Sequence, residues 1–182
     1  MLRPLLTLVV SFLFIIPSHA WEEDAKAQLE QWARSAPAGT IPFTQERHLS
    51  ILPHPILSSG EILLEGNDVL LWRQISPIEV ELRLTPKGIE GIGQNYGSDI
   101  NATVAPLAQA ITDVFYGKFE RIGGLFDIRN DSDMIVLIPH DGVLKRVMKH
   151  IELRGDQTLQ SIRLVEHNDD ATLITLHLGG VD

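Results

Sequence analysis

The chain has 182 residues, 44% of them hydrophobic, with 15 basic and 24 acidic side chains, no cysteine and a formal net charge of −9. A surface this acidic repels phosphate backbones and anionic headgroups, which argues against nucleic acid as a partner and against a basic membrane-docking face. Without cysteine there is no disulfide framework, no thiol nucleophile and no site for a lipid anchor.

The first twenty residues read as an export signal. Arg3 supplies a positive start, residues 5–16 form an apolar run too short to span a bilayer, and Pro17 breaks it. Ser18 and Ala20 put small residues where a signal peptidase needs them, so the mature chain is expected to begin at Trp21 with 14 basic and 24 acidic residues. Export without an anchor points to the periplasm or to secretion, as a soluble protein. Residues 21–182 contain no repeat, low-complexity tract or linker and are expected to fold as one domain.

That region opens on a helix. Ala25, Leu29, Trp32, Ala33 and Ala36 recur at helical spacing, Glu22, Glu23 and Asp24 complement the dipole of the first turn, and Pro37 and Gly39 end it. The pattern then changes to period two. Residues 43–49 read as a strand of ambiguous facing. Residues 61–65 and 69–73 read as a hairpin, entered through the turn chemistry of Ser58-Ser59-Gly60 and joined by Gly66-Asn67-Asp68. In residues 78–84 the alternation is strict: Ile78, Val80, Leu82 and Leu84 on one face, Glu79, Glu81 and Arg83 on the other. Gly91, Gly93 and Gly97 then mark a mobile loop whose spacing makes no dinucleotide fingerprint. A second helix is expected over 105–116, with Pro106 in its first turn, one apolar stripe through Leu107, Ile111 and Phe115, and Gly117 at its end. Strands follow at 124–130, 134–139, 149–154, 160–167 and 171–178, with turn signals at Gly155-Asp156 and Asn168-Asp169-Asp170.

About eight antiparallel strands with two helices predict an α+β, β-dominated fold: an unclosed antiparallel β-barrel (half-barrel) whose apolar concave face the helices cover. Such an interior is either a packed core or a ligand cavity, and periodicity does not separate the two.

The search for chemistry returns little. The histidines beyond residue 20 form no metal-ligand spacing, and there is no G-x-S-x-G elbow. Glu79 and Glu81 share a face opposite four aliphatics, which makes them a solvated surface rather than a catalytic dyad. No catalytic residue, metal or cofactor is expected, and an envelope hydrolase built on His48 and His54 is the least favoured reading.

One combination of residues resembles a known family. Phe43-Thr44-Gln45 opens the first strand, Gly60 precedes a strand, Trp72 follows twelve residues on, and Ser76-Pro77 comes just after it. A mid-chain apolar helix and an Ile162-Arg163-Leu164-Val165-Glu166 meander with a short acidic turn complete the pattern. In order and spacing this resembles the periplasmic outer-membrane lipoprotein carriers (LolA/LolB-like), as a divergent member. The resemblance implies a periplasmic carrier that shelters acyl chains, of a lipoprotein or of a glycolipid or other envelope lipid, during transfer toward the outer membrane. It also implies an inner-membrane donor protein, an outer-membrane acceptor protein and a monomeric carrier. Ile62, Leu64, Leu70, Trp72, Ile78, Val80, Leu82 and Leu84 would line the cavity, and Leu107, Ile111 and Phe115 would form the underside of a lid. The arginine that holds the lid in these carriers falls on Gly66 here, leaving Arg73 as the nearest basic candidate. A lipid-sensing or protein-binding regulatory module of the same fold is the alternative.

Overall fold

The computed structural model describes residues 20–37, 39–86, 88–91, 98–131 and 133–178, without the side chains of 20–22, 91 and 98–105. The expected signal segment lies outside them except for Ala20, where the first helix opens. The loop glycines Gly93 and Gly97 lie outside them as well.

Helix α1 (Ala20–Ser35) is followed by strands β1 (Thr40–His48), β2 (Ile56–Glu65), β3 (Val69–Ser76), β4 (Val80–Thr85) and β5 (Gly88–Gly91). Helices α2 (Ser98–Phe115) and α3 (Phe119–Gly123) lead to β6 (Phe126–Asp131) and β7 (Met134–Pro139). The short α4 (Leu144–Val147) then precedes β8 (Met148–Gly155), β9 (Leu159–Glu166) and β10 (Ala171–Leu176). All ten strands form one sheet in the order β5-β4-β3-β2-β1-β10-β9-β8-β7-β6, with β1 closing onto β10. Every pairing is antiparallel, and among the described residues none joins β5 to β6. The fold is thus a β-dominated α+β fold on an unclosed antiparallel sheet.

Several elements differ from the sequence reading. Residues 88–91 form a fifth strand on β4 rather than part of a loop, because the ladder uses backbone groups that glycine supplies as well as any residue. Ser58-Ser59-Gly60 lies inside β2, not in a turn, at an irregularity of the β2–β3 register. Helix α2 begins at Ser98, seven residues before the expected start, so Pro106 lies inside it rather than in its first turn.

The strands alternate as their sequences dictate. On β1, Ile41 and Phe43 are 1% exposed while Thr40, Pro42 and Thr44 face solvent. Ile62 of β2, Leu70 of β3, Leu137 of β7, Leu153 of β8 and Ile162 of β9 are fully buried on the same side of the sheet. Helix α1 lays its apolar stripe, Ala25, Leu29 and Trp32, into this core. Trp32 keeps its indole N–H satisfied by donating to the Asp156 carbonyl at 3.0 Å, in the β8–β9 turn. The outer face of β2, β3 and β4 carries a ladder of charge: Arg73 binds Glu61 at 2.7 Å and Glu81 at 2.8 Å, and Arg83 binds Glu65 at 2.5 Å. Arg73 is therefore committed to the convex side and does not reach the helix that covers the concave one.

Candidate functional site

The inner face of the sheet is closed at one end and open at the other. At the closed end Trp32 of α1, Phe115 of α2, Ile41 of β1 and Leu176 of β10 pack around a residual void of only about 10 Å³. Toward the other end the strands diverge from the helices and enclose a cavity of about 500 Å³. Leu82 of β4 and Met148 of β8 both line it, although five strands stand between theirs in the sheet, so the sheet curls to bring them to one space.

Its floor and walls are apolar. Trp72 of β3, Val80, Leu82 and Leu84 of β4, and Ile89 of β5 form one wall. Leu107, Ala108 and Ile111 of α2 form the cover, and Val147, Met148, Leu164 and Ile174 form the opposite wall. The ring of Trp72 rests on Phe43 with centroids 4.3 Å apart and planes tilted by 42°, which fixes the indole against the core while leaving its other side to the cavity.

The eleven residues named from the sequence are thus distributed unevenly. Trp72, Val80, Leu82, Leu84, Leu107 and Ile111 come together around the cavity. Ile62 and Leu70 are fully buried beside lining residues and Leu64 is packed against the core, and none of the three lines the cavity. Phe115 belongs to the closed end, where it seals rather than lines. Ile78 does not line the cavity: it precedes β4, whose first residue is Val80, and is 69% exposed. The alternation that put it in line with Val80 extends two residues past the end of the strand.

Sequence reasoning missed the rim of the cavity. Gln45 and Arg47 on β1, Gln74 on β3, Thr172 on β10 and Glu166 on β9 line its mouth. Each continues the inward-facing row of its strand: Ile41-x-Phe43-x-Gln45-x-Arg47 on β1, Leu70-x-Trp72-x-Gln74 on β3, Ile162-x-Leu164-x-Glu166 on β9. The register sets Arg47 opposite Thr172 at one level of the sheet and Gln45 opposite Ile174 one inward-facing position away. The signal was present as period-two continuity, but polar residues at the ends of inward rows broke the apolar pattern used to find lining positions. Ile51 and Leu52 in the β1–β2 connection, Ile78 in the β3–β4 connection, and Ile56, Leu57 and Ile75 at the adjoining strand ends are exposed.

Helix α2 is tied down at its C-terminal end. The carboxylate of Asp113, fully buried, accepts hydrogen bonds from Nε and Nη2 of Arg121 and, at 3.0 Å, from Gln109. The same guanidinium lies 3.2 Å from Asp68, in charge contact, in the β2–β3 turn. Burial pushes the Tyr116 phenol above its ordinary pKa, and its hydroxyl sits 2.8 Å from the Val69 carbonyl, to which it donates. Gly66, where the resemblance places a latching arginine, takes φ +60° in that same turn, a left-handed conformation that an arginine would adopt only with strain. In this chain the tie between helix and hairpin is made by Tyr116, just past α2, and Arg121 of α3 reaching the turn, not by a turn residue reaching the helix.

No family model and no curated protein matches the chain. Among solved structures it is similar in fold to a LolA superfamily protein from Nitrosomonas europaea, at 9% identity and a TM-score of 0.43, over 84% of this chain and 91% of that one. It is likewise similar to a putative outer membrane lipoprotein-sorting protein domain from Vibrio parahaemolyticus, at 13% identity and 0.38, over 91% and 95%. A third likeness is to the MucA/MucB complex of Pseudomonas aeruginosa, at 11% identity and 0.44. There the match covers 84% of this chain but spans only 55% of the other.

Proposed function

We propose that the protein is a carrier that shelters an acyl chain, of a lipoprotein or another envelope lipid, during passage across the periplasm toward the outer membrane. The observation that supports this reading is the cavity of about 500 Å³ with an aliphatic lining and one open end. That volume falls within the range of roughly 300–1,000 Å³ typical of sites that enclose a small-molecule ligand. If a methylene fills about as much space as a liquid water, roughly 30 Å³, it admits about one long chain.

The energetics suit transport. At about 0.8 kcal/mol per buried methylene, one long chain removed from water yields on the order of 10 kcal/mol before ordering costs. A site that binds by area alone needs no covalent step, and ordering costs leave the affinity low enough for release. The exposed aliphatics beside the mouth give the carrier an apolar contact surface where cargo would enter and leave.

The test is uptake. Mature protein incubated with a fluorescent fatty acid, or analysed by native mass spectrometry after purification, should hold one acyl chain per molecule. Leu82→Glu places a charge in the middle of the wall and should abolish uptake while the far-ultraviolet circular dichroism stays native. Normal binding by that variant would move the chain out of this cavity. A wild-type protein that takes up no lipid but captures a stable stoichiometric protein partner would make it a regulatory module instead.

A further inference from the structure

The mouth of the cavity carries two opposite charges. Arg47, near the C-terminal end of β1, and Glu166, at the C-terminal end of β9, both line it. Among the described residues neither side chain makes a hydrogen bond or an ion pair. Arg47 acts on Asp170 through its charge alone, and the two oxygens of that carboxylate are held by the Ser50 N–H at 2.7 Å and the Asn168 amide at 2.8 Å. The outer face behaves otherwise: there Arg73, Arg83 and Arg163 all find carboxylates.

One strand, β10, separates the two: Arg47 pairs with Thr172 and Thr172 with Leu164, so Glu166 stands two residues further along β9. At about 4.8 Å per strand and about 3.4 Å per residue their backbones are about 12 Å apart, within reach of two long side chains that converge on one headgroup. Resting on the proposal that the cavity takes an acyl chain, we infer that this mouth recognises a zwitterionic headgroup, with the anionic part on Arg47 and the cationic part on Glu166. The guanidinium fork matches a phosphate, and the carboxylate accepts from an ammonium. Thr172 adds a neutral hydrogen-bonding group at the level of Arg47, and Gln45 another one inward-facing position away. The cargo class is then a phosphoethanolamine-type lipid with one chain inside the cavity. A purely anionic lipid would leave Glu166 unmatched, and an uncharged one would leave both charges unmatched.

The experiment compares three single-chain lipids of equal acyl length: lysophosphatidylethanolamine, lysophosphatidylglycerol and monoacylglycerol. Each displaces a fluorescent fatty acid from the delipidated protein. Because Arg47 is open to water, the expected preference for the zwitterion over the neutral lipid is modest, about three- to tenfold. Arg47→Gln should bring the zwitterion down to the affinity of monoacylglycerol and leave monoacylglycerol unchanged. Glu166→Gln should erase the preference for the zwitterion over the anionic lipid. Equal affinities for all three lipids in the wild type, or variants that weaken all three alike, would overturn the headgroup assignment and leave the carrier reading standing. A bound probe that none of the three lipids displaces would likewise overturn the headgroup assignment, and a probe that does not bind at all would overturn both readings.

Discussion

Gly60 of β2 sits where strand β3 passes close against it. A Cβ built there would lie 2.0 Å from the carbonyl oxygen of Arg73 on β3, a backbone atom that moves only if the strand moves. The register slips at this point, between Ser59 and Gly60, and the absent side chain lets β3 pass close. Gly60→Val should therefore destabilise the protein by about 3 kcal/mol or stop it folding, read as a lowered urea midpoint. A midpoint within a few tenths of wild type would show that the strands have room to part. Asp170 makes a second prediction at this scale. The Ser50 N–H that it accepts holds its carboxyl below the usual range for an aspartate, so its folded value is depressed. The stability from this contact is fully present above the unfolded value of about 3.9 and is lost as pH falls through the lower folded one. The protection factor of the Ser50 amide should thus fall in acid below about pH 4, and Asp170→Asn should flatten that dependence. A Ser50 protection factor that stays constant through this range in the wild type would detach the β1–β2 loop from this carboxylate. The sequence shows Asp170 only as part of a turn signal, because its partner lies 120 residues away.

The elements behind the cavity were legible to different degrees, for physical reasons. Strands β7 and β10 follow from short runs rich in aliphatic and β-branched residues, β7 apolar throughout, although only the structure shows which face of each is buried. Strand β5 did not appear, since Gly88–Gly91 offers one apolar side chain, Ile89, and pairs through its backbone. The cover helix was recognised by its stripe but not by what holds it. Asp113 and Arg121 stand eight residues apart on different helices, and only the fold shows that one is buried and the other reaches it. Removing the arginine leaves a fully buried carboxylate with Gln109 as its remaining side-chain donor. Arg121→Ala should cost about 3 kcal/mol, at the low end for a broken buried pair because Arg121 itself is part-exposed. The double variant Arg121→Ala with Asp113→Asn should recover part of that loss in a urea titration, since the orphaned charge goes with its partner. Equal losses in single and double variants would mean that packing, not charge, ties α2 to the β2–β3 turn.

At the scale of the whole molecule, the sheet spends its two ends differently. One end is filled by α1 and Phe115 to near-complete exclusion of space; the other is left unfilled under α2. Unfilled apolar volume costs stability, because lining atoms forgo contacts that a packed core would supply. A guest that fills the space restores them and binds only the folded chain, so cargo and fold are thermodynamically linked. With free lipid at a hundred times its dissociation constant the expected stabilisation is about 2.7 kcal/mol. For a chain of this size that corresponds to a rise in Tm of roughly 5–10 °C. Trp72, on the cavity wall, should report the same event as a change in emission that Trp32, sealed at the closed end, does not share. Trp72→Phe should abolish the optical change and preserve the thermal one, whereas Leu82→Glu should abolish both. A Tm indifferent to lipid, with Trp72 emission unchanged, would mean that the cavity stays empty and that its cost to the fold serves some other end.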